Sequence, residues 1–355
     1  MLKLRRATVV RADGPEAGEQ SLEVDLAGEF RPAVADVGLL GLSRAGDEVV
    51  VNVQARDLGL GSGGFDVVHV NLTRGLGGQG RPGAHVMKLN YTSLQHAVSP
   101  VEGQRPALPL GSPVAVGALH GQLAPLAWAM AQRAPDLRLG YVQTVGGALP
   151  GGLSRVVRQL RERGLLAGHV TAGAAFGGEQ EALSTVGALA HGLSQLGWDA
   201  AVCAPGPGIV GSASFLGHGG MAALDSAHAA LALGCPTLVV ARASGADARA
   251  RHRGISHHTQ TVLELLLGPV SVALPEAVGG WSQSPAWLEL EPPARFEPPV
   301  RQEPHVWRRA DADLDGFAAS GLPAVTMGRS LEQDPLFFAT ALAAGRVLAD
   351  MIEAA

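Results

Sequence analysis

The chain has 355 residues, 46% hydrophobic and 17% charged, with 48 glycines and a formal net charge of −5. That length exceeds one ordinary hydrophobic core, so two lobes are expected, and the apolar content excludes a disordered chain. Aromatic residues are only 4% and basic residues form no long block, which excludes nucleic acid as a partner, because phosphate neutralisation and base stacking need both.

The N-terminus runs into a strand pattern without the apolar region of a secretion signal. No uncharged apolar stretch reaches the roughly 20 residues a membrane span requires. Cys203 and Cys235 make no disulfide framework and read as buried thiols of a reducing compartment. A cytoplasmic protein with no membrane partner is expected; a homo-oligomer is left open.

In chain order, residues 4–10, 21–26, 47–53 and 66–72 are Val- and Leu-rich runs broken by Gly, Asp or Pro, which predicts strands. Residues 1–99 therefore read as a β-rich domain, a small β-barrel or β-sandwich. Residues 100–113 carry four prolines and two glycines, so 100–112 are taken as a linker.

From 113 to 355 the pattern alternates. Strands are predicted at 113–118, 139–144, 168–172, 200–204, 237–241 and 270–274. Helices are predicted at 120–132, 153–163, 179–196, 221–233 and 259–267. Continuous apolar strands separated by helices read as an α/β domain on a mainly parallel, doubly wound, Rossmann-like sheet. Residues 275–310, rich in Pro, Glu and Trp, read as an extended arm able to return to the first lobe. A short strand at 324–327 precedes a C-terminal helix, with Ser330-Leu331-Glu332-Gln333 as its capping box.

Right-handed crossovers put every strand-to-helix loop of such a sheet on one edge, where free amides and helix N-termini collect ligands. These loops hold His120, then Thr144 with Gly146 and Gly147, then a long segment with Gly206, Gly208, Gly211 and His218, and finally residues 242–258. The third segment fits neither a dinucleotide fingerprint nor a phosphate-binding loop. It reads equally well as a backbone cradle for an anion or as a wide turn.

Ser256 is placed to cap a helix whose first turn holds His257, His258 and Thr259, where the helix dipole favours an anion and a neutral imidazole. Adjacent helical residues diverge by about 100°, so only one of the two histidines is expected to face a site. Arg253 is the best candidate for a bidentate clamp on a carboxylate or phosphate. A metal would need His120, His218, Asp225, His257 and His258 to converge through the fold, and no local ligand spacing supports one. A metal-free site is therefore expected, with no cofactor assigned.

The runs Gly140-Tyr-Val-Gln-Thr-Val-Gly-Gly-Ala-Leu-Pro150, His252-Arg-Gly-Ile-Ser-His-His-Thr259 and Thr326-Met-Gly-Arg-Ser-Leu-Glu-Gln-Asp-Pro335 resemble an uncharacterised bacterial family, domain of unknown function 3866. The resemblance extends over nearly the whole chain. It implies no activity and transfers no catalytic residue.

From the residues, the leading reading is an enzyme acting on a small polar or anionic metabolite by hydrolysis or group transfer. His257, His258 and His120 would be its acid, base or polar groups. Thr144, Gly146, Gly147, Gly206, Gly208, Gly211, Arg253, Ser256 and Thr259 would bind the ligand. The alternatives are a non-catalytic small-molecule-binding or regulatory protein, and a subunit whose site a partner completes.

Overall fold

The computed structural model describes residues 1–16, 18–60, 63–212, 214–276 and 304–353. Two compact units result: Met1–Pro100 with Pro150–Leu153, and Val101–Leu149 with Ser154–Ala355.

In the first unit, β1 (Leu4–Ala12), β2 (Glu19–Leu26), β3 (Glu29–Asp36), β4 (Glu48–Asn52) and β5 (Asp66–Asn71) close into a barrel of order β1-β2-β3-β5-β4. Period-2 alternation explains its core: Ala7 and Val9, Leu22 and Val24, Val49 and Val51 all point inward. The barrel also contains single-turn helices α1 (Val37–Leu40) and α2 (Gln54–Asp57), and the hairpin β6 (Val86–Lys88) and β7 (His96–Val98) follows. Strand β3 is absent from the sequence reading because Pro32 interrupts it. The structure tolerates that proline: its side is exposed, and β5 pairs with β3 only from Ala33 onward.

The second unit carries β8 (Val114–Gly117), α3 (Leu123–Arg133), β9 (Leu139–Thr144), α4 (Arg155–Glu162), β10 (Gly168–Ala172), β11 (Gln180–Ala182), α5 (Thr185–Ser194), β12 (Ala200–Pro205), α6 (Ala222–Ala232) and β13 (Thr237–Val240). After these come the short hairpin β14 (Ala243–Ser244) and β15 (Gly254–Ile255), then α7 (His257–Leu265), β16 (Ser271–Pro275) and β17 (Val306–Ala310). Eight strands form one sheet in the order β11-β10-β9-β12-β8-β13-β16-β17, and every neighbouring pair is parallel. Strands β8, β9, β12 and β13 are buried at every position, as a sheet covered on both faces requires.

The connections set up the site. From β8 the chain moves outward through β9, β10 and β11, returns as β12 between β9 and β8, and then crosses to β13 on the far side of β8. Strands β12 and β13 flank β8, so the loops leaving them emerge on either side of it at the same edge of the sheet, the edge where ligands of open α/β sheets collect. The C-terminal helix Pro335–Glu353 lies against α3, where Gly345 admits the Leu126 carbonyl; a Cβ there would come within 2.2 Å of that oxygen. By length and composition this helix could cross a membrane, but 72% of its most apolar stretch is buried within the unit.

Several expectations need correction. Residues 179–196 are not one helix: β11 comes first, tied to β10 by the Glu181 carboxylate, which accepts from Thr171 Oγ1 and the Gly177 amide at 2.7 Å each. The helix starts only after Ser184, whose side chain caps the Gly187 amide. Residue 120 opens a 3-10 turn, and α3 begins at Leu123. Of the extended arm at 275–310, residues 277–303 lie outside the described residues, while Val306–Ala310 is no arm but the edge strand beside β16. Only half of the capping box forms: Gln333 Oε1 accepts from the Ser330 amide, whereas Ser330 Oγ turns to Glu332 and the helix starts at Pro335. Proline suits that first position, because its missing N–H would have no helical acceptor.

Candidate functional site at the carboxyl edge of the sheet

The loops at this edge bind one another tightly. Gln122 straps β8 to β13: its Oε1 accepts from the Ala118 and Leu119 amides, and its Nε2 donates to the Val240 and Ala241 carbonyls. Gly146, at φ +110°, lies where a Cβ would come within 2.3 Å of the Gly219 carbonyl oxygen, and one on Gly147 within 2.2 Å of that of Gly206. These glycines let the loops after β9 and β12 touch. Their other ties are backbone bonds, Ala148 N to Pro207 O and Val210 N to Gly146 O. Close approach of the two loops is the use the structure shows for Gly146, Gly147 and Gly206. Gly208 takes a positive φ of 70°, and Gly211 bridges to His218.

Four imidazoles gather where the loops after β12 and β13 meet. His218 stacks on His258 with ring centroids 3.5 Å apart and planes 8° from parallel. His257 stands edge-on to His258 at 4.5 Å and to His218 at 5.6 Å, and His252 lies 4.8 Å and 4.9 Å from His257 and His258. One ring nitrogen from each of His218, His257 and His258 lies within 4.8 Å of the others. The expectation that only one of the helical pair faces a site is therefore corrected: the Cα–Cβ bonds diverge, but in the first helical turn both rings reach His218. Ser256 caps that turn as expected, accepting from the His258 amide, and also pairs with Nδ1 of His252 at 2.7 Å.

Beside the rings lies a buried guanidinium that the sequence reading noted only as the first residue of its loop. Arg242 is 2% exposed and donates from one terminal nitrogen to Nδ1 of His258 at 2.8 Å. An arginine can only donate, so Nδ1 of His258 accepts and the proton of its neutral ring sits on Nε2. The other terminal nitrogen reaches Met327 Sδ at 3.4 Å and lies 3.6 Å from Asp247. Asp247 also receives Arg249 through two bonds of 2.9 Å and Arg329 at 3.4 Å. Asp334 takes Arg329, Ser244 and the Gly245 amide. Three guanidinium groups thus share two carboxylates.

The electrostatics follow. Burial first, then the charge of Arg242, pushes His258 down to about 2, and burial followed by Arg242 and Arg249 pushes His252 to about 3. Burial also lowers His257, with Arg251 and Arg242 adding to it. In His218 burial, His257 and Arg242 act the same way, while the backbone at Phe215 works against them. All four rings are therefore neutral near pH 7, while Arg242, lowered only to about 10 by its burial, stays charged. Among the described residues, neither nitrogen of His218, nor Nε2 of His257, nor Nε of Arg242 is in hydrogen-bonding geometry with a protein group, although all are buried.

Other predicted residues take structural places. His120 sits apart: its Nδ1 bonds the Pro205 carbonyl at 3.2 Å and its Nε2 Ser154 Oγ at 2.7 Å. Burial holds it down to about 4. Thr144 is buried and bonds the neighbouring Val145 carbonyl. Thr259 Oγ1 accepts from the Arg242 amide and so positions that arginine. Arg253 is exposed and donates to the Asp247 carbonyl, so the buried cation is Arg242 instead. Asp225 is exposed on α6 and joins no cluster. A lone arginine ending an apolar strand was the one signal that could have revealed Arg242, since burying its charge needs a reason.

The three sequence runs singled out above come to this same edge: Gly146 against Gly219, His252–Thr259 around Arg242, and Met327, Arg329 and Asp334 closing over it. No curated protein and no solved structure matches the chain. A family model does match, over residues 33–345. The chain therefore belongs to the family described as protein of unknown function (DUF3866).

Proposed function

We propose that the protein is an enzyme acting on a small anionic metabolite, by hydrolysis or group transfer, where the loops after β12 and β13 meet. One observation carries this reading: a buried, positively charged Arg242 keeps an unpaired Nε–H beside imidazoles whose nitrogens also lack partners. Buried donors without acceptors are costly, about 1–3 kcal/mol each, and an anionic oxygen would satisfy them. Arg242 takes the anchoring role that the sequence reading gave to Arg253. His257, half-buried at the rim, and His218 are the acid–base candidates, since a neutral imidazole can accept a proton from water or a hydroxyl.

Catalysis calls for at least two titratable groups about 3–5 Å from one point, and the ring nitrogens of His218, His257 and His258, all within 4.8 Å of one another, favour it over passive binding. The sheet is read as doubly wound: α3 packs with α4 and the C-terminal helix, whereas α5 packs with α6 and α6 with α7, as two separate layers. A cytoplasmic location fits the free, buried thiols of Cys203 and Cys235. Nucleic acid and membrane are not proposed as partners.

Thermal unfolding with inorganic phosphate and a panel of small carboxylates tests the reading. A ligand at 100 times its Kd stabilises by about 2.7 kcal/mol, and Arg242→Gln should abolish that gain. A panel that leaves wild type unshifted, or shifts wild type and R242Q alike, argues against an anion at this site. Turnover by wild type but not by His257→Ala separates the enzyme from a binding protein.

A further inference from the structure

Most histidines of this unit have an evident structural use. His120 bridges Ser154 and Pro205, and His169 bonds Gln143 Oε1. His191 bonds Gln180 at 2.6 Å, His228 accepts the Leu267 amide, and His305 joins Val270 to Leu263. His218 and His257 differ. They are drawn together with His258 from two distant loops, yet among the described residues three of their buried nitrogens are in hydrogen-bonding geometry with no protein group, the Phe215 backbone alone acting on the His218 ring in the manner of a hydrogen bond.

We infer that His218, His257 and His258 form a three-imidazole site for a divalent transition-metal ion, best matched by zinc. The donor set is all nitrogen, with no carboxylate or thiolate in the group. That composition suits zinc or its neighbours and disfavours magnesium and calcium, which take oxygen ligands. Three protein ligands leave a tetrahedral fourth position open to water or substrate, the arrangement of a catalytic rather than a structural zinc.

The geometry asks for a modest closure. Zinc–nitrogen bonds of about 2.0–2.1 Å put tetrahedral ligand atoms about 3.3 Å apart, against separations of up to 4.8 Å here. The parallel His218–His258 stack must tilt so that its lone pairs converge. His258 must also free a nitrogen, because Arg242 occupies Nδ1 and thereby keeps the proton on Nε2. Arg242 has another acceptor in Asp247, 3.6 Å away. Metal entry thus breaks the Arg242–His258 bond while the pairing of the other terminal nitrogen with Asp247 remains, and the arginine opposes the metal in the ion-free protein.

The zinc site lies where the anion reading places its ligand but does not depend on that reading; an occupied site would replace the acid–base role given there to His218 and His257, and Arg242 separates the two. The full-length protein, stripped with a chelator, is titrated with Zn²⁺ against a chromophoric competitor, with Mg²⁺ as control. One zinc per chain is expected, weakened at least about 100-fold in His218→Asn and His257→Asn, whose melting curves report folding. His252→Asn, with its ring engaged by Ser256, should stay within about tenfold of wild type. R242Q should bind zinc as tightly as wild type or more so, while losing phosphate in the zinc-free protein if the anion reading holds. Wild type without stoichiometric zinc, or zinc uptake undiminished when His218 and His257 are both replaced, overturns the metal site whatever phosphate does.

Discussion

Acid should destabilise the α/β unit through two buried histidines outside the four-imidazole cluster. His120 and His169 are buried, and their rings are held neutral, at about 4 and about 3, against an ordinary value of 6.5. Burial is the first cause in both; in His169 the nearby His120 and Arg161 add to it. A depressed value means that the unfolded chain binds protons more readily than the folded one. The stabilising contribution is therefore complete above about pH 6.5 and is lost as pH falls toward the folded values. At pH 4.5 each ring costs on the order of 2–3 kcal/mol by linkage, and the two together a large share of the whole stability of many domains. His169→Phe isolates one share. The phenyl ring can keep the stack on Tyr141, whose centroid lies 5.0 Å away, but leaves Gln143 Oε1 without its partner. The variant should be less stable at pH 7.5 by about 1–3 kcal/mol, and that deficit should shrink by roughly 2–3 kcal/mol at pH 4.5. Urea unfolding followed by tryptophan fluorescence across this range measures it. Parallel pH profiles for wild type and variant would refute the linkage.

Other outcomes follow from packing and from the site. Gly345→Ala pushes a Cβ to 2.2 Å from the Leu126 carbonyl oxygen, so the C-terminal helix must back away from α3; a loss of about 1–3 kcal/mol in thermal unfolding is expected. Trp198 lies in a slot walled by Gly140, Gly168 and Gly192, and Trp198→Ala should cost about 3–5 kcal/mol by the same assay. Gly146→Ala combines a φ of +110° with a Cβ 2.3 Å from the Gly219 carbonyl oxygen. It should weaken phosphate or zinc binding by moving the loop that carries His218, and unchanged affinity in a folded variant would contradict that coupling. Asp247→Asn removes a carboxylate shared by Arg242, Arg249 and Arg329. It should lower the melting temperature and tighten anion binding, since fewer negative charges then compete for Arg242.

Much of the fold was legible because one-dimensional signals control it. Apolar runs separated by amphipathic stretches mark parallel strands, and the predicted runs 139–144 and 168–172 coincide with β9 and β10. Strands β3 and β11 were missed because Pro32 and the Gly177–Gly178 turn break the local pattern, and pairing across the sheet overrides it. Gly140, Gly168 and Gly192 carry no message in the sequence either, since only the Trp198 ring lodged against them explains why they lack side chains.

The site divides along the same line. The sequence by itself determined that His- and Gly-bearing loops follow the strands of a parallel sheet, because strand direction and crossover hand follow from local chain chirality. Tertiary structure alone decided which of those loops meet. The return of β12 between β9 and β8 brings His218 to His257 and His258, sends His120 to Ser154, and buries Arg242 rather than Arg253. Those choices depend on strand order and side-chain packing between segments far apart in the chain, which no local pattern encodes.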